Sequence, residues 1–214
     1  RAKLKEIWSY NEAHKNRYKE PPNAWLMFAT ITAWALTTGL RSGEVRALHA
    51  DQIDEELSVV YVTQALDGDG RVVPLKKGTE NDPRWRVVVV PDMTMTLHNE
   101  WVAAASPREL LFSFHGKPID PKYLRKRLDI AMTKAKINIG TRRIRFHALR
   151  YTYRTLLRSH LPAGVLDDMA GHRDDEMGEL YDRPVLRQRA IEYQSHLAAV
   201  NAVFEVQSNE KERS

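Results

Sequence analysis

The feature of this sequence that most limits its fold is the segment 24–39, AWLMFATITAWALTTG. Its side chains are apolar almost all the way round a helix, so that helix would have no polar face to turn toward water. The stretch is also shorter than the ~20 apolar residues that a membrane-spanning helix needs. We therefore predict a helix at the centre of a protein core, capped by Asn23 and ended by Gly39.

Composition indicates the class of protein and the compartment in which it works. The chain has 214 residues, enough for one well-packed domain, and its 43% hydrophobic content excludes a disordered tail. It has no cysteine, which excludes disulfides and thiolate metal sites. The N-terminal residues are charged where a signal peptide would be apolar, so we expect a cytoplasmic protein.

Positive charge is concentrated in one part of the chain. The formal net charge is +5, and Arg and Lys are densest between residues 117 and 158. A cluster of this kind is typical of a surface that faces phosphates. The charge pattern therefore favours a polyanionic partner.

Local patterns predict an α+β fold, mostly helical, with a small three-stranded antiparallel sheet. β-branched residues predict strands at 57–63, 71–75 and 85–90, and the turn LDGDGR would join the first two as a hairpin. Breaks rich in Gly and Pro separate the predicted helices. These helices are 3–18, 24–39, a short one capped by Ser42, 92–104, 121–136, 146–159, 163–170, 175–181 and 185–200.

Two segments carry arginines in positions that could bind an anion. Arg41 follows the central helix within TTGLRSGEVRAL, in a turn from which a side chain can point into a cleft. Pairing with Glu44 would also explain it. His147 and Arg150 in RFHALR stand three apart, so one helix face presents an imidazole and a guanidinium together. A surface helix with a satisfied histidine is the simpler explanation of that pair.

The remaining candidates are a lysine pair and a histidine followed by a tyrosine. Lys76 or Lys77, in the turn before the last strand, could swing an ammonium into a site, or could simply be solvated. His172 follows Gly171 in a turn, and Tyr181 lies nine residues later. A tyrosine is a poor nucleophile because its pKa is ~10, so taken alone Tyr181 is better explained as a packed aromatic.

The ordered set of these residues resembles the tyrosine recombinase family, also called the phage integrase family. The resemblance spans roughly residues 20 to 200 and rests on four matches: TGLRSGEVRAL, the Lys-Gly before RVVVVP, HALRYT, and AGH followed by a Tyr at the ninth position. It implies the fold of DNA breaking-rejoining enzymes. It also implies a site-specific recombinase or integrase of a mobile element that cuts and rejoins double-stranded DNA without metal, ATP or another cofactor.

The resemblance also implies a role for each site residue. Tyr181 would attack a phosphodiester and remain linked to the 3′ phosphate. Arg41 and Arg150 would hold the non-bridging oxygens, and His147 and His172 would donate hydrogen bonds or shuttle a proton. Lys77 would protonate the leaving 5′ oxygen, because Gly78 follows it, with Lys76 in reserve. Fixed guanidiniums suit phosphoryl transfer, since catalysis there depends mainly on positioning and preorganised positive charge.

The sequence departs from the family at a few positions and leaves two other functions open. Tyr151 and Arg183 stand where the family often has His, and the segment GTENDPRW makes the lysine register uncertain. A type IB topoisomerase would use similar chemistry to relax supercoils. An inactive DNA-binding relative would keep the scaffold alone.

Domain organisation and assembly are also expectations from the resemblance. We assign residues 1–206 to a catalytic domain and 207–214 to a polar, frayed tail, and we expect the DNA-clamping N-terminal domain of the parent protein to be absent. The family works as a tetramer on DNA, and residues 185–206 could dock on a neighbouring protomer or pack in cis. We expect a monomer without DNA and no contact with a membrane.

Overall fold

The central helix of the computed structural model is the apolar one that the sequence predicts. The structure describes residues 23–76, 78, 83–137, 144–172 and 183–209, of which 183 and 206–209 by backbone alone. Helix α1 spans Ala24–Thr38, and all but three of its residues are buried. Its buried threonines are satisfied within the helix: Thr30 Oγ1 donates to the Leu26 carbonyl at 2.8 Å and Thr37 Oγ1 to that of Ala33 at 2.9 Å.

The two ends of α1 differ from each other in how far they follow the prediction. Asn23 occupies the N-cap position, as predicted, but it has left-handed backbone angles and its side chain makes no capping hydrogen bond. Gly39 ends the helix with φ of +64°, as predicted. A Cβ at Gly39 would lie 2.4 Å from the ring of the buried Tyr153, so the turn needs glycine both for its backbone angle and for space.

A three-stranded antiparallel sheet covers one side of this core. Its strands are β1 (Ile53–Asp54), β2 (Val59–Val62) and β5 (Arg86–Val89), in the order β1-β2-β5. In the register of β2 and β5, Val60 stands opposite Val88. Strand β5 is buried along its whole length. The sheet therefore contributes to the core as a layer and delivers Arg86 to its interior.

The membership of the sheet differs from the prediction in one strand. The segment predicted as a strand at 71–75 contains β4 (Val72–Val73), which pairs with β3 (Ala65–Leu66) in a separate two-stranded ribbon. The predicted turn LDGDGR does form a hairpin, in which Asp67 Oδ1 accepts from the backbone of Asp69 and of Arg71, each at 2.9 Å. A third ribbon pairs β6 (Ser113–Phe114) with β7 (Lys117–Pro118).

The two residues that connect β2 to β3 make contacts that explain why the chain leaves the sheet. Thr63 accepts from Gln52 Nε2 at 2.6 Å, and Gln64 Nε2 donates to the Ala47 carbonyl at 3.1 Å. Gln52 closes a 3₁₀ turn, Ala50–Gln52. The chain then passes over helix α2 (Ser42–Arg46) close to Gly43. A Cβ at this position would lie only 2.6 Å from the Leu66 carbonyl oxygen, so the close approach requires glycine. The ribbon β3-β4 thus packs on α2 rather than extending the sheet.

The helices after the sheet begin and end close to where the sequence predicts them. They are α3 (Asp92–Ala105), α4 (Pro121–Lys134), α5 (Phe146–Leu157) and α6 (Ala163–Met169). Helices α3 and α5 pack against α1, and α6 packs against β5. The predicted helices at 3–18 and 175–181 lie outside the described residues.

The C-terminal segment forms two helices where the sequence predicts one over 185–200. Helix α7 spans Arg183–Gln194 and α8 spans Leu197–Asn209, separated by Ser195 and His196. Both pack in cis, α7 against β5 and α8 against α3 and α5. Tyr193 on α7 donates to Asp168 on α6 at 2.5 Å, so α7 is tied to the end of α6.

Candidate functional site

Arg41 lies at the turn that joins α1 to α2, and Glu44 holds it at two points. The Arg41 backbone N donates to Glu44 Oε2 at 2.7 Å, and Nη1 donates to Oε1 at 2.9 Å. Arg41 is therefore the N-cap residue of α2, and the predicted cap at Ser42 is wrong, since Ser42 is the first helical residue. The Arg41 side chain keeps 25% of its surface exposed, which leaves room for a further anion.

Glu44 belongs to a buried ion pair with Arg86 from strand β5. Arg86 Nη2 and Nη1 approach the two carboxylate oxygens at 2.7 and 3.2 Å, and both side chains are at most 2% exposed. Burial alone would raise the pKa of Glu44, but the charges of Arg86 and Arg41 hold that pKa at about 2. Glu44 is thus a permanent anion between two arginines.

Arg150 is buried at the junction of three helices. From α5, its Nη1 donates to the Gly39 carbonyl at 2.6 Å, and its Nη2 donates to the Ala170 carbonyl just after α6. Burial, and then the positive charges of Arg41 and Arg86, lower the pKa of Arg150 to about 9, so it stays charged at neutral pH. Its guanidinium plane is therefore fixed by main-chain atoms at both ends.

His147 and His172 flank Arg150 on the solvent side. His147 lies one turn earlier on α5, and His172 follows Gly171 beyond α6, where its backbone N donates to the Asp167 carbonyl at 2.8 Å. Partial desolvation, and then the charge of Arg150, lower the pKa of each imidazole, and Arg41 contributes to both. Both histidines are exposed at the surface and share one positive field.

A small pocket opens where these elements meet. Its lining includes four cationic side chains, Arg41, Lys76, Arg84 and Arg86. Asp168 and Gly171 also line it. Lys76 is exposed, and its charge contributes to the lowered pKa of His147. Such a concentration of positive charge favours the binding of a phosphate group.

Of the six candidate residues, Arg41 lines this pocket. His147, Arg150 and His172 lie near it, close enough for the charges of Arg41 and Arg150 to lower the pKa of each imidazole. Lys77 and Tyr181 lie outside the described residues, while the reserve lysine, Lys76, lines the pocket. Arg86 was not among the residues predicted for the site, and Glu44 was predicted only as an alternative partner of Arg41. The available signal was an arginine inside the apolar strand WRVVVV, since a buried charge requires a partner.

The described residues contain no group of three or more His, Asp or Glu side chains arranged to hold a metal ion. Within the same residues, no helix has the length and apolar character needed to span a bilayer.

Solved structures with similar folds include several recombinases. The integrase of the Tn1549 transposon in complex with a circular intermediate DNA superposes with a TM-score of 0.60 at 17% identity, over 88% of this chain and 63% of that one. The XerA recombinase gives 0.56 at 17% identity, over 91% and 60%. This chain thus spans less than two thirds of the length of either protein. At such identities the likeness establishes the fold.

The lambda integrase catalytic core matches this chain over most of both lengths. It superposes with a TM-score of 0.52 at 14% identity, over 85% of this chain and 94% of that core. No curated protein matches the sequence significantly. The sequence profile of the phage integrase family, however, matches residues 7–185. This match covers most of the chain and includes every residue of the pocket, so the chain belongs to the phage integrase (tyrosine recombinase) family and carries the fold of its catalytic domain.

Proposed function

We propose that the protein is a site-specific DNA recombinase that cuts and rejoins strands through a covalent bond between Tyr181 and a 3′ phosphate. The observation that carries the proposal is the fixed guanidinium of Arg150, which lies close to two neutral histidines and to Arg41, a residue that lines a cationic pocket. This arrangement supports binding of a phosphodiester, because positive charge is in place before the substrate arrives. DNA-bound structures of similar fold, such as the XerH recombinase on its difH substrate, also support it.

The proposed reaction is an in-line displacement at phosphorus. The phenolic oxygen of Tyr181 attacks, the bond from phosphorus to the 5′ oxygen breaks, and the 5′ oxygen takes a proton from Lys77 or Lys76. Arg41 and Arg150 stabilise the charge on the non-bridging oxygens. The phenol proton passes to His147 or His172, whose lowered pKa values keep them unprotonated and able to accept it at neutral pH.

The covalent intermediate preserves the energy of the broken bond. A second 5′ hydroxyl can attack the phosphotyrosine and restore a DNA strand without ATP. This suits strand exchange between two DNA sites, and we include assembly of a tetramer on DNA in the proposal. The C-terminal helices pack in cis in the single chain, which supports a monomer in the absence of DNA.

The test is trapping of the covalent intermediate on nicked DNA. Short duplexes taken from the DNA that flanks the gene, each with a nick near the scissile position, lose the cleaved end and cannot be rejoined. We expect a denaturation-resistant complex with the wild-type chain and none with Tyr181→Phe. The matched control is Tyr151→Phe, because Tyr151 is 62% exposed and lies edge-to-face with His147 at 5.0 Å.

Two outcomes would overturn the assignment. A complex that persists in Tyr181→Phe and disappears in Tyr151→Phe would place the nucleophile on α5. Absence of any complex with the wild-type chain, while it still binds the duplexes, would favour an inactive DNA-binding relative. Relaxation of a supercoiled plasmid without joining of separate sites would instead indicate the topoisomerase reaction.

A further inference from the structure

Arg86 makes contacts on two sides of the pocket, and no step of the proposed reaction uses it. Two of its nitrogens pair with the Glu44 carboxylate at 2.7 and 3.2 Å. The third, Nε, donates to the Met169 carbonyl at 2.9 Å. All three nitrogens of one buried guanidinium are therefore engaged, and they join strand β5 to helix α2 and to the end of helix α6.

Each of these contacts leads directly to a residue of the site. On one side Glu44 holds the backbone and the guanidinium of Arg41. On the other side Met169 is followed by Ala170, whose carbonyl accepts from Arg150, and then by Gly171 and His172. Arg86 thus spans the distance between the Arg41 side and the His172 side of the pocket.

We propose that Arg86 is a positioning residue, which sets where Arg41 and the turn carrying His172 stand relative to each other around the phosphate. The inference rests on the proposed function, since it assigns Arg86 a part in that reaction. The guanidinium has a rigid planar shape, so one side chain can fix two partners at a defined angle. A shift of about 1 Å between groups that must act on one phosphorus can cost about 100-fold in rate.

Stability alone is a poor explanation of this ion pair. Taking two charges out of water costs several kcal/mol, and apolar residues of similar size often stabilise a core as well or better. The other residues of β5 are valines, which fit the strand without any partner. An arginine there is better explained by the geometry that it imposes on Glu44 and Met169.

The test compares Arg86→Met and Arg86→Lys with a matched control, Arg46→Met. Arg46 is also buried, at 3% exposure, and donates to the carbonyls of Ile119 at 2.6 Å and Asp67 at 3.0 Å, away from the pocket. Its loss should cost stability in the same way without moving Arg41 or His172. Single-turnover formation of the covalent complex on the nicked duplexes is measured from about pH 5 to pH 8, the range in which proteins are most stable, at a temperature where every variant is folded.

We expect Arg86→Met to lower the maximal rate about 100-fold with little change in the DNA concentration at half-saturation, because the defect is in alignment. Arg86→Lys keeps the charge but can reach only one of the two partners, so it should restore part of the rate. Arg46→Met should react like the wild type once its folded fraction is taken into account.

The pH profile gives a second, independent readout. Without Arg86, the charge that most strongly lowers the pKa of Glu44 is gone while its burial remains, so that pKa rises. Protonation of Glu44 then releases Arg41, and the rate of Arg86→Met should fall at the acid end of the range. Arg86→Lys and the wild type should show no such acid loss. The Glu44 pKa itself can be followed by carbon NMR of the carboxyl group in the chain without DNA.

The outcomes separate this inference from the function on which it rests. If Arg86→Met reacts at the rate of Arg46→Met with an unchanged pH profile, Arg86 is a structural residue and the inference is wrong, while the recombinase proposal stands. If the wild-type chain forms no covalent complex on any duplex, the proposed function fails and the inference fails with it.

Discussion

At the scale of single residues, the two histidines beside Arg150 share the charges of Arg150 and Arg41, but each is also affected by a cation that does not affect the other. The pKa of His147 is lowered by partial desolvation and by Arg150, Arg41 and Lys76. That of His172 is lowered by partial desolvation and by Arg150, Arg154 and Arg41, while Asp167 acts in the opposite direction. The charge environment of each imidazole can therefore be changed without touching the other.

We predict that each of two single substitutions raises the pKa of a different histidine. Lys76→Gln should raise the pKa of His147 and leave that of His172 nearly unchanged, because removing a nearby positive charge favours protonation. Arg154→Gln should raise the pKa of His172, the more so because it frees Asp167, its partner at 2.6 Å. NMR titration of the imidazole carbons in both variants gives the answer. Equal pKa shifts of both histidines in either variant would show that Lys76 and Arg154 each act on both imidazoles, and the prediction would be wrong.

The direction of these shifts also determines how the histidines affect stability. A histidine whose pKa is lower in the folded chain than in the unfolded one binds fewer protons when folded. Stability contributed in this way is complete above the ordinary pKa of ~6.5 and declines as the pH falls through the lowered value. Both substitutions should therefore make the chain slightly less sensitive to mild acid.

Residues differed in how far the sequence could predict their part in the site. Arg41, His147, Arg150 and His172 could be named as candidates because each lies in a short local sequence motif. Glu44 and Arg86 are 42 positions apart, and their pairing depends on β5 lying against α2. No local pattern contains that contact, so the ion pair at the centre of the site could not be predicted as a pair.

At the scale of elements, the turn between α1 and α2 positions two arginines at once. Arg41 extends from it, and the Gly39 carbonyl within it accepts from Arg150. The turn depends on the positive φ of Gly39 and on its contact with the Tyr153 ring. A side chain at residue 39 would therefore disturb the site as well as the fold.

We predict that Gly39→Ala destabilises the chain far more than Gly116→Ala. Both glycines have positive φ, at +64° and +75°, but a Cβ at Gly116 would meet nothing within 4 Å. Gly116→Ala should cost about 1 kcal/mol from its backbone angle alone. Gly39→Ala should cost about 1 to 3 kcal/mol more, since the added methyl group overlaps a buried ring.

Unfolding in urea at neutral pH measures both losses. Equal losses for the two variants would mean that Tyr153 moves aside at little cost. In that case the Gly39 carbonyl would keep its bond to Arg150, and formation of the covalent complex would be unaffected.

Elements with strong local signals were predicted well, and those fixed by tertiary contacts were not. The helices between residues 92 and 169 begin and end near their predicted limits because Gly, Pro and capping residues mark them. The strand predicted at 71–75 was assigned to the wrong sheet. Its β-branched residues indicate a strand but not its partner, and the contacts of Thr63 and Gln64 that turn the chain away lie elsewhere in the sequence.

At the scale of the whole molecule, most of the described Lys and Arg side chains between residues 117 and 158 are at the surface. Helix α4 alone exposes Lys122, Arg125, Lys126 and Lys134. These side chains lie on a different element from Arg41 and Arg150. They give the chain positive charge outside the pocket, as a partner longer than one phosphate would require.

We predict that replacing Lys122 and Lys126 with Gln weakens DNA binding and its dependence on salt. The logarithm of the binding constant falls with the logarithm of the salt concentration by about 0.9 for each phosphate contacted, so the slope should decrease by close to 2. Fluorescence anisotropy with a duplex of arbitrary sequence, between about 50 and 200 mM salt, measures this. The control replaces both residues with Arg and should keep the slope. An unchanged slope in the Gln variant would place DNA on another face.

The fold class and the family were accessible from the sequence because they depend on the order of several motifs rather than on any one. The profile match over residues 7–185 and the superposition on the lambda integrase core agree with that order. The packing of α7 and α8 in cis was left open, since an amphipathic segment fits a groove of its own chain and a groove of a neighbour equally well.

The two bonds that hold Arg150 have a consequence for how this site can vary. Both acceptors are main-chain oxygens, of Gly39 and Ala170, and no amino-acid replacement can delete a peptide carbonyl. Substitutions at positions 39 and 170 can move these oxygens but cannot abolish them. The position of the Arg150 guanidinium therefore depends on the course of the backbone, and a comparison of side chains alone would not detect this dependence.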